Sequence, residues 1–504
     1  VKIRRSDIAA LFLSILAMAA VYLITIRIYE GVPHIEDETA YAWQAATYAR
    51  GDLTLASPPC PKCFLVPFVV DYQGQRFSKY PPGWPAALSL GVRLDLREWV
   101  NPFLAALCVW LTYRLGKKLV SEAAGLIAAL LTVTSPFFLM NGGTLLGHIW
   151  SLFLTLAFIL AWLDLTRPAP PITSWIPIWI AGLSLGLLAL TRPLTALAVG
   201  LPFFIEGWIR LVRGPQSVRL RILSVGGIAL VLSSALFLWQ YALTSDPFLN
   251  PYTLWWPYDR LGFGPGVGVA EGGHSLLWAR SNTRFSLRAG SSDLFGWGRL
   301  SWIFAPFGLI ALRRIRRAWA ILAIAPSLIL FYMLYWIGSW VYGPRYYFEG
   351  LVSFTLASAA GICWLAGRLM PERERMRYWL SRLRFGLTAL IATALVAASA
   401  LIYSPIRLGG MQGLYGASRG QLIPFQTPDA QKLAPALVIV HRLKDWREYG
   451  TLLELSSPYF DTPIVFTYDR GPEMNRQVID FFPERAVYYY YADEPFKLYT
   501  ALRP

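Results

Sequence analysis

His34-Ile-Glu-Asp37-Glu38-Thr-Ala-Tyr41 follows directly on the first hydrophobic run of the chain, and its reading decides the rest. A carboxylate pair at the mouth of a membrane is costly unless something uses it. The membrane itself is read from composition: 504 residues, 55% hydrophobic, only 15% charged, with 21 Trp. Apolar runs recur at lengths of about 20 residues, enough to cross a hydrocarbon core of roughly 30 Å. The first run, residues 8–28, is longer than the apolar region of a signal peptide and lacks a small-residue cleavage site before the acidic motif. It reads as a retained first helix.

Working outward, apolar runs between charged or Pro/Gly-rich breaks place spans near residues 8–29, 99–115, 121–140, 149–166, 175–191, 194–211, 222–244, 299–312, 318–337, 351–367 and 386–404. That makes about eleven transmembrane helices. With the amino terminus inside, the basic clusters Lys2/Arg4/Arg5, Arg114/Lys117/Lys118, Arg167, Arg210/Arg213/Arg219/Arg221, Arg313/Arg314/Arg316/Arg317 and Arg368 through Arg384 all fall in inner loops. This requires residues 83–94, a dozen residues opening after Pro81-Pro82, to lie at the outer interface rather than to span. The outer side then holds residues 30–98, the turns 141–148 and 191–193, the loop 244–298, the turn 338–350 and everything after residue 404. All four His fall there. The net charge of +16 is explained by the inner loops and anionic headgroups. No basic run with interleaved aromatics lies in a soluble segment, so nucleic acid is not an expected partner.

Past residue 404 the pattern changes. Residues 436–441, 463–468 and 486–491 are short β-type runs with a helix expected over 473–482, so a small α/β domain is expected outside the membrane. The domain reading is therefore 1–404 for the membrane part, including the outer loop 30–98, and 405–504 for the α/β part.

Three motifs collect on the outer side. Asp37 and Glu38 open an amphipathic stretch, for which helix capping is the plain alternative. Phe77-Ser78-Lys79-Tyr80-Pro81-Pro82-Gly83-Trp84 brings a Lys to the same surface, either as a headgroup anchor or as a phosphate ligand. Gly343-Pro-Arg345-Tyr-Tyr-Phe-Glu349 carries an Arg on the side where Arg is scarce, with a salt bridge to Glu349 as the plain alternative. Arg192, in Thr191-Arg192-Pro193, breaks the same trend and is either a snorkelling anchor or a ligand.

Asp-Glu-Thr-Ala-Tyr at 37–41, Lys-Tyr-Pro-Pro-Gly-Trp at 79–84 and the 343–349 motif together resemble the GT-C superfamily of integral-membrane glycosyltransferases. The likeness is to the bacterial branch related to protein O-mannosyltransferases and the lipid A aminoarabinose transferase, and the hydropathy profile matches over residues 1–400. The resemblance implies an all-α polytopic membrane fold over residues 1–400, which the extracytoplasmic α/β domain read from the later strands follows. It implies an enzyme of the plasma membrane, active on its extracytoplasmic face, that moves a sugar from a polyprenyl-phosphate carrier to a lipid, glycan or protein hydroxyl. Asp37 then corresponds to the catalytic carboxylate, with Glu38 beside it, and Lys79 to the phosphate-binding Lys. The chain departs from the pattern in the second outer loop, where relatives often have an Asp and this chain has Asn141-Gly-Gly-Thr144-Leu-Leu-Gly-His148, making His148 a candidate replacement.

The chemistry asks for the same residue types. An acceptor hydroxyl attacking an anomeric carbon needs a base, and Asp37 is the candidate. Charge growing on the departing phosphate needs preplaced cations, for which Lys79, Arg345 and Arg192 are the candidates. Tyr41 and Tyr80 are further candidate site residues. No cofactor is required by this scheme. Glu36, Asp37, Glu38 and an outer His offer ligands for a divalent metal, which three cations make dispensable. Trp255-Trp256-Pro-Tyr258-Asp259 is read as interfacial aromatic belt rather than as part of the site. Cys60-Pro-Lys-Cys63 lies in the outer loop, where an oxidising compartment would permit a disulfide, and a zinc site is disfavoured because there is no second Cys pair. The competing function is a transporter or flippase of a lipid-linked saccharide, which needs charged groups or broken helices at mid-membrane, and the spans carry almost none. A noncatalytic scaffold is the third reading, disfavoured by the presence of both Asp37 and Lys79.

Overall fold

The computed structural model describes residues 4–167, 175–369, 378–441 and 446–503. Lys2 and the part of the 368–384 basic cluster between 370 and 377 lie outside them. The chain is a bundle of helices: α1 (Arg5–Arg27), α2 (Glu36–Ala49), α3 (Gly83–Arg93), α4 (Arg97–Leu119), α5 (Glu122–Val133), α6 (Pro136–Gly142), α7 (His148–Leu165), α8 (Trp175–Thr191), α9 (Pro193–Arg213), α10 (Gln216–Thr244), α11 (Pro251–Trp255), α12 (Leu276–Asp293), α13 (Ala305–Leu312), α14 (Arg316–Leu322), α15 (Ile324–Tyr332), α16 (Leu351–Leu365) and α17 (Tyr378–Ala398). A three-stranded sheet joins α2 to α3, with β1 (Leu55–Ala56), β2 (Val69–Tyr72) and β3 (Gln75–Ser78) in the order β1-β3-β2.

The helices are turned inside out relative to those of a water-soluble bundle. On α1 the buried stripe against α4 is Ala10, Ser14, Ala17, Val21 and Ile24, whereas Leu11, Phe12, Ile15 and Leu23 are exposed. Small residues inside and large apolar residues outside suit hydrocarbon, where close packing rather than water exclusion holds helices together. Glycines set two of the contacts. A side-chain carbon on Gly116 of α4 would come within 2.7 Å of Gly125 Cα on α5, and one on Gly308 or Gly361 would strike the backbone of the facing helix in the α13–α16 pair.

Among the described residues six helical segments are long and apolar enough to cross a membrane. Two bent pairs, α5 with α6 at 57° and α12 with 298–312 at 94°, raise the number to 8. The protein is a multi-pass membrane protein. An eleven-span reading adds α4, α8 and the α14–α15 pair, which are helical but shorter, broken or more charged.

The ends of the bundle differ in chemistry. At one end Arg4 pairs with Glu122, Lys117 with Asp7 at 2.6 Å and Lys118 with Asp164, while Arg221 donates to Leu165 O at 2.9 Å. The expected inner-loop cations thus gather on one face. Asp37, Lys79, Arg192 and Arg345 lie at the other.

After α17 the chain forms β4 (Ala436–His441), β5 (Ile464–Tyr468), β6 (Ala486–Tyr491) and β7 (Leu498–Tyr499), in the order β5-β4-β6-β7. β4 is parallel to β5 and β6, and β7 is antiparallel to β6. A helix, Pro472–Phe481, links β5 to β6 where one was expected. This sheet does not stand apart from the outer loop. Tyr468 N donates to Cys63 O at 2.7 Å, and Cys60, Cys63 and Phe64 share a core with Leu437, Val465 and Val478. Arg97 grips Glu454 with two bonds, of 3.1 and 2.7 Å. Cys60 and Cys63 are disulfide-bonded, so the loop that carries Lys79 is braced from outside the membrane part.

The two-ended charge distribution generates a labelling experiment. The unpaired cysteines Cys108 and Cys363 are buried, so background is low. Cys introduced at the exposed Glu271 should react with an impermeant maleimide in intact cells, and Cys at the exposed Ser217, in the first turn of α10, only after lysis. The opposite pattern would put Asp37 in the cytoplasm.

Candidate active site

α2 begins at a residue that cannot cap it. Ile35 is extended at the N-cap and offers no side-chain acceptor, so Glu36, Asp37 and Glu38 fill the first turn and complement the positive helix end. The capping alternative for Asp37 is thereby corrected. Its carboxylate accepts a hydrogen bond from Tyr80 Oη at 2.8 Å and faces Arg345 Nη2 at 3.6 Å. Tyr41, one turn further along α2, stacks obliquely on Tyr80, with ring centroids 4.6 Å apart.

Glu38 is rotated about 100° from Asp37 around the helix and points inward. It is 1% exposed, accepting from Leu145 N at 3.1 Å and from Tyr342 Oη at 3.1 Å. Burial pushes its carboxyl up to about 7, against the pull of those two bonds. It joins α2 to the 141–148 turn and to the 338–350 turn.

Lys79 follows β3 in a register fixed by the Val69–Ser78 pair, and its own N–H continues the ladder to Phe68 O at 2.9 Å. Its ammonium is 3% exposed, 3.2 Å from Asp259 Oδ2, and ringed by Phe68 at 3.9 Å, Trp256 at 4.7 Å and Tyr252 at 4.9 Å. Asp259 in turn accepts from Tyr335 Oη and Trp336 Nε1, both at 3.0 Å. Burial lowers the affinity of Lys79 for its proton, and the charges of Asp259 and Asp37 oppose that shift. A cation boxed by aromatic faces and one carboxylate is stabilised without water. The reading of 255–259 as interfacial belt is therefore corrected: Trp256 and Asp259 are walls of the Lys79 box.

Arg192 sits at the N-cap of α9, where Pro193 starts the helix. Its guanidinium donates to Glu349 Oε1 at 2.8 Å, to Tyr332 Oη at 2.9 Å and to His148 Nδ1 at 3.0 Å. A guanidinium only donates, so Nδ1 of His148 is the acceptor. Arg192 is thus no snorkelling anchor. Glu349 is fully buried, and its other oxygen has no hydrogen-bond partner among the described residues. The Arg345–Glu349 salt bridge suggested by their spacing is absent, because the 345–350 turn is 3₁₀ with Tyr347 off helical geometry at φ −103°, ψ 19°. Glu349 goes to Arg192, and Arg345 is left for Asp37.

The structure therefore brings together Asp37, Tyr80, Tyr41 and Arg345, with Lys79 alongside, and sets Arg192 and His148 as a second group linked through Tyr332. Tyr332 stacks on Tyr346 at 5.0 Å, next to Arg345. Sequence reasoning missed Asp259, Tyr252, Trp256 and Tyr332. A lone acid inside an aromatic run was the one available signal, for Asp259. Among the described residues no three of His, Cys, Asp and Glu gather as a metal-ligand set.

No family model matches the chain, and no curated protein does. Solved structures do. ArnT from Cupriavidus metallidurans bound to undecaprenyl phosphate aligns over 96% of this chain and 89% of its own, with TM-score 0.56 at 15% identity. The same protein in the apo state aligns over 93% and 87%, with TM-score 0.54 at 16% identity. The Archaeoglobus fulgidus oligosaccharyltransferase in complex with Zn and sulfate aligns over 87% of this chain and 61% of its own, with TM-score 0.51 at 16% identity. All are GT-C superfamily glycosyltransferases. This chain has the GT-C fold.

Glu38 gives the GT-C fold here a pH dependence with a definite sign. Its folded pKa lies above the usual carboxylate value, so the folded state holds the proton more tightly and stability falls as pH rises from about 4.5 to about 7. The loss is on the order of 3 kcal/mol. Glu38→Gln should melt with a flatter pH profile between 5 and 7.5 than the parent in the same detergent. Parallel profiles would remove Glu38 as the titrating group.

Proposed function

We propose that the protein is a glycosyltransferase that moves a sugar from a polyprenyl-phosphate carrier to an acceptor hydroxyl, by a single inverting displacement on the extracytoplasmic face. The observation that carries this reading is the Asp37–Arg345 pair: a base and a cation side by side at the edge of a GT-C bundle, the fold in which ArnT was solved with undecaprenyl phosphate.

In the proposed reaction the acceptor oxygen attacks the anomeric carbon and its proton passes to Asp37. The bond from that carbon to the phosphate oxygen breaks, and the carrier phosphate leaves with the electron pair. Arg345 and Lys79 face that phosphate, and Arg192 holds the wall behind it. Glu38 acts as a strut rather than in the transfer itself, since both its oxygens are engaged with Leu145 and Tyr342. Tyr80 orients Asp37. The transporter reading gains no support, because the buried charges cluster at helix ends instead of along a path through the bundle.

Asp37→Asn should cut transfer at least 100-fold, the lower range for a lost general base, while expression and melting stay near wild type. An Asp37→Asn protein with wild-type turnover would remove Asp37 from the chemistry.

Carrier binding separates the phosphate ligands from the base. A charge-assisted hydrogen bond contributes about 1.5–3 kcal/mol, so Arg345→Ala should bind polyprenyl phosphate at least tenfold more weakly in nanodiscs. The same loss is expected for Lys79→Ala combined with Asp259→Asn, which avoids leaving a buried carboxylate unpaired. Asp37→Asn should bind the carrier at least as well as wild type, having lost a negative charge nearby. Unchanged carrier affinity in both cationic variants would sink the clamp.

A further inference from the structure

α12 carries Arg280, Arg284 and Arg288 at successive i, i+4 positions, which places all three guanidiniums on one face. With Arg299 they line an open groove of about 790 Å³ floored by Trp302 and Met333. All four are exposed, and none makes an ion pair among the described residues. Like charges at this spacing destabilise a helix unless an anion lies across them. The row stands on the same end of the bundle as Arg345, away from the Lys117 and Lys118 pairs. α12 is tied to the turn that bears Arg345, since Asn282 Nδ2 donates to Trp336 O at 2.9 Å and Ser339 N to Ser286 Oγ at 3.1 Å.

The rest of the helix says what kind of anion fits. Trp278 and Phe285 lie on a different face from the arginines and are 52% and 54% exposed, and Phe285 meets the exposed Trp340 edge-on at 5.5 Å. The third face, Ala279, Ser286 and Gly290, is buried against the bundle. The helix runs at 94° to the 298–312 segment that follows it. When that segment crosses the membrane, α12 lies flat at its surface, with Trp278 and Phe285 turned to the acyl chains and the arginines to the headgroups. Guanidinium groups bind phosphate oxygens two at a time, and an apolar flank selects an anion that brings chains with it.

We infer that the arginine row of α12, with Arg299, is a docking groove for the phosphate headgroup of an anionic membrane lipid, seated beside the turn that carries Arg345. It does not depend on Asp37 acting as a base. The test uses the full chain in detergent, with dioctanoyl phosphatidylglycerol as the probe and dioctanoyl phosphatidylcholine, inorganic phosphate and an acidic peptide as competitors. The parent should bind the anionic lipid, and Arg280→Gln/Arg284→Gln/Arg288→Gln should bind it at least tenfold more weakly, with melting no lower than the parent because the like-charge row is gone. Asp37→Asn should bind as the parent does, which separates this groove from the transfer reaction. Equal affinity in the triple variant would overturn the proposal. Displacement of the lipid by phosphate or by the peptide at comparable concentration would overturn it as well, by showing a site for free anions.

Discussion

One buried carboxyl holds the site in register. Glu38 reaches from the first turn of α2 to the backbone of Leu145 and the hydroxyl of Tyr342, and so ties three segments more than a hundred residues apart in sequence. Because successive helical residues are rotated by about 100°, fixing Glu38 inward fixes Asp37 toward Tyr80 and Arg345. The pair at 37–38 is therefore a division of labour between two acids that differ in little but direction. The inward one is starved of water and holds its proton far above the ordinary range. The outward one keeps a tyrosine and a cation for company.

The same logic governs the other charges at this end of the bundle. Lys79, Arg192 and Arg345 each have a carboxylate partner, Asp259, Glu349 and Asp37. Removing one member of a buried pair is far more damaging than the pair's own net contribution. On the proposed chemistry the partners differ in how easily they yield. Asp259 and Glu349 are almost wholly buried; Asp259 accepts further bonds from Tyr335 and Trp336, and Arg192, the partner of Glu349, donates also to Tyr332. Asp37 is the most accessible of the three, and its contact with Arg345, at 3.6 Å, is the longest.

Much of this was legible in the sequence, and the failures have physical causes. Lengths and periods of apolar runs gave the helices, and the motifs at 37–41, 79–84 and 343–349 converge as expected. The strands after residue 404 also fall where their β-branched and aromatic runs lie. Pairing did not follow from spacing. Arg345 and Glu349 are four apart, which in an α-helix would bring them together, but a 3₁₀ turn sends them to different partners. The Lys79–Asp259 pair spans 180 positions, and no local pattern announces it. In the sequence Trp256 reads as belt because an aromatic at a membrane boundary and an aromatic facing an ammonium have the same signature. Nor do strand patterns show that the sheet after residue 404 shares its core with Cys60, Cys63 and Phe64.

The loosely held Asp37–Arg345 contact gives the proposed reaction an order of events. Arg345 is the cation facing Asp37. A carrier phosphate arriving at Arg345 would take a share of that guanidinium, so that donor binding and release of Asp37 from the pair are one event in the proposed reaction. The acceptor hydroxyl then meets a carboxylate whose cation is engaged with the carrier. Tyr80, buried and pushed toward its neutral form by burial and by Asp37 itself, can only donate to the carboxylate, so it orients the base through the cycle without competing for the proton.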